Sequence, residues 1–135
     1  MEEFYEATKE GVFIVAFSGD REPFEYEENG SYYGVYVDIA NELAFRLGMR
    51  VEFKKKRDGY ELIYANVLLG KYDVAFGFHA GEYKAGLFRS PVYYGNEVAI
   101  FREDAFESSA KVMAAWKEME EDGTIDRILR MYGLS

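Results

Sequence analysis

Few side chains here could do acid–base, nucleophilic or metal chemistry. His79 is the only histidine and there is no cysteine. That excludes disulfides, thiolate chemistry and Cys-based zinc sites, and removes the usual multi-histidine metal centres and most serine-hydrolase triads. A lone histidine is read first as a satisfied or exposed loop residue, with a catalytic base as the alternative. Glu120-Glu121-Asp122 reads as a solvated helix end, because like charges resist burial. Lys54-Lys55-Lys56-Arg57 is the one basic run; at a strand end it suits edge protection better than phosphate binding. Arg21, between Asp20 and Glu22, either meets an anionic ligand or pairs with those neighbours. Asp20 suits either an ammonium group or a turn. No Gly-Lys-Ser/Thr and no G-x-G-x-x-G follows the first apolar run, which counts against a nucleotide phosphate loop.

Charge narrows the partners. In 135 residues, 16 Lys and Arg face 25 Asp and Glu, a formal charge of −9. Such a field repels phosphate, so nucleic acid and anionic membranes are not expected partners. Hydrophobic residues at 49% and aromatics at 18% are enough for a packed core. No apolar run approaches the roughly 18 residues of a membrane span. Residues 1–10 are acidic and lack an apolar signal core, so the expectation is a cytoplasmic protein or one whose leader has been removed.

The elements that must position these groups follow from periodicity. A short helix is predicted over residues 2–10. VFIVAFS, residues 12–18, reads as a strand covered on both faces. Asn29-Gly30 signals a tight hairpin. Val35, Ile39, Leu43 and Leu47 recur every four positions and make a helical face that Gly48 ends. Residues 50–56 alternate as a half-covered or edge strand, 60–69 read as a helix, and 72–78 as a second buried strand. Residues 79–91 read as loop with one helical turn at most. Residues 92–101 are a third apolar strand with a break at Gly95. Val112, Met113, Trp116 and Met119 form a stripe on a helix over 107–121, and Thr124 is expected to cap a last helix bearing Ile125, Ile128, Leu129 and Tyr132. This alternation predicts an α/β fold, a three-layer αβα sandwich with a mainly parallel sheet. Ligands of such sheets sit beyond the carboxyl ends of the strands. Residues 18–24, 57–60 and 77–84 would lie there.

The chain also resembles a known family. Pro23-Phe24, then Gly34 through Val37-Asp38-Ile39-Ala40, then Leu47-Gly48 match in order and spacing the opening of the type II periplasmic solute-binding proteins (bacterial extracellular solute-binding family 3), in the branch that includes amino-acid-binding proteins. Gly70-Lys71 with Asp73-Val74-Ala75 resembles that family's next block, and Glu82 with Ser90-Pro91 its Glu-Arg…Ser-x-Pro-Tyr segment. Asp122-Gly123-Thr124, Ile128 and Tyr132-Gly133 resemble its closing pattern. These five pieces cover most of the chain.

The resemblance implies one half of a clamshell that grips a small polar solute for an ABC-type membrane transporter, in the periplasm or outside the cell. It places first-lobe contacts at Ser18, Asp20 and Arg21, at Phe24, at Tyr60 with its flat ring, and at Gly77, Phe78 and His79. The arginine that holds an α-carboxylate in amino-acid-binding members is replaced here by Tyr83, with Lys84 beside it either as a solvated surface lysine or as a substitute cation. Only about a dozen residues separate Tyr94 from the closing helices. The expectation is therefore a single first lobe over residues 1–135, with the second lobe missing at a junction near 102–108, whether by excision or as a natural single-lobe relative. No enzyme activity and no cofactor are expected. Two alternatives stand: a homodimerising module built on exposed Phe24, Tyr60 and Phe78, and an enzyme of dehydratase or flavin-binding type.

Overall fold

The computed structural model describes residues 11–55, 60–81, 87–102 and 109–134. The expected helix over 2–10, Lys56 and Arg57, the Tyr83–Lys84 pair and most of the 102–108 junction lie outside them.

The strands and helices run in the order β1 (Val12–Phe17), β2 (Asp20–Arg21), β3 (Glu25–Glu28), β4 (Ser31–Tyr33), α1 (Val35–Leu47), β5 (Arg50–Lys55), α2 (Tyr60–Leu68), β6 (Val74–His79), β7 (Leu87–Arg89), β8 (Glu97–Arg102), α3 (Ser109–Glu121) and α4 (Thr124–Met131). The main sheet has the order β5-β1-β6-β8-β7. β1 is parallel to β5 and to β6, whereas β8 runs antiparallel to both β6 and β7. Four strands therefore point one way, and the sheet is mainly parallel as expected. β2, β3 and β4 form a separate small antiparallel sheet.

Alternation along the buried strands divides the core. Phe13, Val15, Val74, Ala99 and Phe101 meet α1, α3 and α4 on one face. Ile14, Ala16, Ala75, Val98 and Ile100 meet Val67 and its neighbours on α2 on the other. Trp116 is fully buried in the thicker layer, 6.2 Å from the Tyr93 ring and 6.4 Å from that of Phe101. Val112, Trp116 and Met119 of the stripe on α3 are core, as their helical spacing implies, whereas Met113 is half-buried.

The hairpin and the start of α1 are built as one unit. Asn29 and Gly30 both take positive φ (52° and 81°), the turn that matches strand twist. The Pro23 and Phe24 carbonyls then accept the Val35 and Tyr36 N–H groups, closing the open amino end of α1. Gly34 is required at this junction, because a Cβ there would lie 2.3 Å from the Phe24 carbonyl oxygen. The Tyr132 hydroxyl accepts the Gly34 N–H and donates to Asp38, which ties the end of the chain to the same junction.

Three local expectations need correction. Residues 87–89, read as loop, are the edge strand β7, and buried Ser90 explains why: its Oγ accepts the Ala99 N–H at 2.9 Å and its own N–H donates to the Ala99 carbonyl. The third apolar strand begins at Glu97, not at residue 92, because the chain turns through Gly95 and Asn96 first. Thr124 does not cap α4. Asp122 Oδ1 accepts both the Thr124 N–H at 3.0 Å and its hydroxyl, while Thr124 is the first helical residue.

Candidate functional site

The carboxyl ends of β1, β5 and β6 lie along one edge of the sheet. β8 runs the other way, so its first residue, Glu97, stands at that same edge, paired with His79. Cα pairing thus brings a carboxylate into the ligand-side region from far along the chain.

Glu97 is the centre of a polar cluster. Its Oε1 accepts the hydroxyl of Tyr36, and that of Tyr93 at 3.3 Å. Its Oε2 accepts Nη2 of Arg21 at 3.1 Å. Arg21 Nη1 donates to the Tyr36 hydroxyl at 2.7 Å. Tyr93 is held from behind, since its hydroxyl accepts the Gly77 N–H at 2.8 Å. Burial and the Glu97 carboxylate push both phenols, Tyr36 and Tyr93, well above their ordinary range. They remain protonated and able to donate at neutral pH.

Aromatic rings wall this cluster. The Arg21 guanidinium carbon lies 4.9 Å from the Phe24 ring centroid and 5.7 Å from that of Tyr36. Phe24 packs 5.4 Å from Tyr36 and 5.7 Å from Tyr94, and Tyr36 stacks on Phe76 at 5.2 Å. The Pro23-Phe24 docking on α1 is what brings Phe24 to Tyr36.

The remaining predicted residues fall at or near this edge with different environments. The Ser18 N–H donates to Glu25 Oε1 at 2.7 Å, closing the loop after β1. Burial raises the Glu25 carboxyl above its ordinary value, opposed by the Ser18 bond and Arg21. Asp20 is exposed and opens β2. Arg21 turns to Glu97, 76 residues away, instead of making the expected local pair with Asp20 or Glu22. His79 is exposed at the end of β6, with Nδ1 3.5 Å from the Asn96 amide nitrogen. Gly77 is buried, with its N–H already given to Tyr93. Tyr60 opens α2, and its side chain, like the whole of Lys84, lies outside the described residues.

Phe78 corrects the expectation of an exposed aromatic patch. It is 4% exposed and packs in the α2-side core, 6.3 Å from the Tyr64 ring. Strict alternation would put it on the same face as Phe76. The register shifts between Ala75 and Phe78, and Gly77 takes a φ of 86°, so Phe78 points to the opposite layer.

Tyr36, Tyr93, Tyr94, Asn96 and Glu97 escape sequence reasoning. Tyr36 sits inside an apolar helical face and Glu97 inside an apolar run. Their one signal is polarity within an otherwise buried pattern, which gives no partner.

Among the described residues no helix is long and apolar enough to cross a membrane. The chain has the fold of several solved solute receptors. The L-cystine solute receptor of Neisseria gonorrhoeae, unliganded and open, superposes with a TM-score of 0.76 at 15% identity, covering 95% of each chain. An ancestral cationic amino acid solute-binding protein gives 0.75 at 16% identity, over 96% of this chain and 99% of that one. The arginine-bound form of domain 1 from TmArgBP gives 0.67 at 24% identity, over 84% of this chain and 97% of that one. No curated protein sequence matches. The family model for bacterial extracellular solute-binding proteins, family 3, matches residues 13–135, and the chain belongs to that family.

Proposed function

We propose that this chain is a solute-binding lobe of the ABC-transporter type, working outside the cytoplasm. Its ligand face is the sheet edge that carries Arg21, Phe24, Tyr94 and Glu97. The observation that carries the reading is the Arg21–Tyr36–Glu97 cluster. It places a guanidinium and a carboxylate side by side against aromatic walls, at the strand ends where ligands of such sheets bind. A small polar solute with both donors and acceptors fits that chemistry. The similarly folded receptor for L-cystine, the arginine-bound domain and the cationic amino acid solute-binding protein support a solute of the amino-acid class.

The described residues build one lobe around a single five-stranded sheet. A lobe acting alone covers its solute on one side only, so affinity is weak, on the order of millimolar. Calorimetry against the common amino acids and small polar ions tests this. The expected result is no binding tighter than about 10 μM. A nanomolar ligand contradicts the open half-site. Ser18, Asp20 and His79 belong to the same proposal as contacts around the cluster, and Tyr60 and Lys84 belong to it as solute contacts that the family resemblance implies.

A further inference from the structure

The guanidinium of Arg21 sits as a bound cation would sit. It has a carboxylate oxygen at 3.1 Å, a phenol oxygen at 2.7 Å and an aromatic face at 4.9 Å. Receptors for guanidinium and ammonium groups combine these three elements. The receiving groups come from elsewhere in the chain: Glu97 from β8, Tyr36 from α1, Phe24 from the loop after β2. They are also held without Arg21. Glu97 accepts the hydroxyls of Tyr36 and Tyr93, and Phe24 is wedged between Tyr36 and Tyr94. Arg21 is the open member of the pair, with 37% of its side chain exposed against 14% for Glu97. It hangs from a two-residue strand.

We infer that Glu97, Tyr36 and Phe24 form a cation receptor that the chain's own Arg21 occupies, so that a ligand guanidinium or ammonium group reaches it only by displacing Arg21. Arg21 is then an internal competitor that selects against cationic solutes. This deepens the proposed function, resting on it for biological meaning. The receptor itself is testable with no solute at all.

Methylguanidinium is the probe. Wild type, R21A and R21A/E97Q are titrated with millimolar methylguanidinium chloride, against sodium chloride at equal ionic strength. Thermal unfolding and backbone NMR shifts are the readouts. R21A is expected to be stabilised with saturable shifts around Phe24 and Glu97, at an apparent affinity at least about tenfold tighter than wild type. R21A/E97Q is expected to lose the response. An R21A response no stronger than wild type, or one that survives E97Q, overturns the inference. Should R21A fail to fold, side-chain nitrogen NMR of Arg21 decides: guanidinium rotation slowed in wild type and freed in E97Q is expected, and free rotation in wild type overturns it. A failed amino-acid screen alongside a positive R21A titration would remove the solute and leave the receptor. The reverse pattern would leave the ligand face and remove the role of Arg21.

Discussion

Strand β8 begins with Glu97 and ends with Arg102, and its two ends do different work. At the far end, Arg102 donates from Nε (3.2 Å) and Nη2 (2.6 Å) to Asp73 Oδ1. Asp73 Oδ2 also accepts the Ile14 N–H at 2.8 Å, so one carboxylate ties β1, β6 and β8 together. That pair is well covered, with side-chain exposures of 17% and 8%. At the near end, the Arg21–Glu97 pair is more open and lined by rings. A shielded, fully engaged ion pair braces a sheet. A half-open one beside aromatic faces can exchange one partner for a ligand group. Arg46 makes a third kind of cluster on the outside, joining Glu42 on its own helix to Glu118 on α3 and Asp122 in the turn between α3 and α4, with Glu118 and Asp122 turned to solvent.

Breaking the brace should have the largest effect. Asp73→Ala removes the buried carboxylate that accepts from Arg102 and from the Ile14 N–H, and should cost about 3 kcal/mol in denaturant unfolding. A loss below about 1 kcal/mol would erase the distinction between the two ends of β8. Glu97→Gln should cost less, about 1 kcal/mol, because the amide oxygen still accepts a phenol hydroxyl. Its effect should instead appear at the ligand face, as loss of the R21A response to methylguanidinium. If E97Q proves as destabilising as D73A, the near end is a brace too.

Tyr132→Phe tests the junction beneath the site, where the hydroxyl serves Gly34 and Asp38. A loss of roughly 1 kcal/mol is expected. Burial, then the Asp38 bond, push this phenol up to about 12 from an ordinary value of 10.0. Its contribution is therefore full below about pH 10 and fades as pH rises through about 12. Wild type should lose stability across that window more steeply than Y132F, and parallel curves would contradict the bond. The smallest effect belongs to the solvent-facing cluster. The Thr124 hydroxyl, then Arg46, lower the Asp122 carboxyl from 3.8 to about 2. Its contribution is present above about pH 4 and lost as pH falls through about 2. Acid unfolding of D122N should be flatter than wild type across that window, and a difference unchanged at pH 2 would assign the effect to packing.

Much of the scaffold is legible in the sequence because its signals are local. Gly48 ends α1 in the left-handed region, with the Gly48 and Met49 N–H groups taking up its last carbonyls. Asn29-Gly30 makes the turn it signals. The apolar runs read as strands over 12–18 and 72–78 correspond to the buried strands Val12–Phe17 and Val74–His79. What escapes depends on distance or on a single shifted residue. β7 is three residues long and is recognisable only through its pairing with β8. Phe78 changes layers because of one irregularity at Gly77. Arg21 and Glu97 meet only because β8 returns antiparallel beside β6. Local charge suggests Asp20 or Glu22 as partner, and only topology supplies the right one. The site is therefore less legible than the fold: Arg21 and Phe24 are marked by position after β1, while the carboxylate and phenols that give them chemistry are not.

The most direct test of the ligand face is a backbone NMR titration of the wild-type chain with amino acids at millimolar concentration. Saturable shifts concentrated at residues 18–24, 77–80 and 94–97 are predicted. Shifts confined to the groove between α1 and α4, around Asn41, Arg127 and Met131, or none up to about 10 mM, would contradict it.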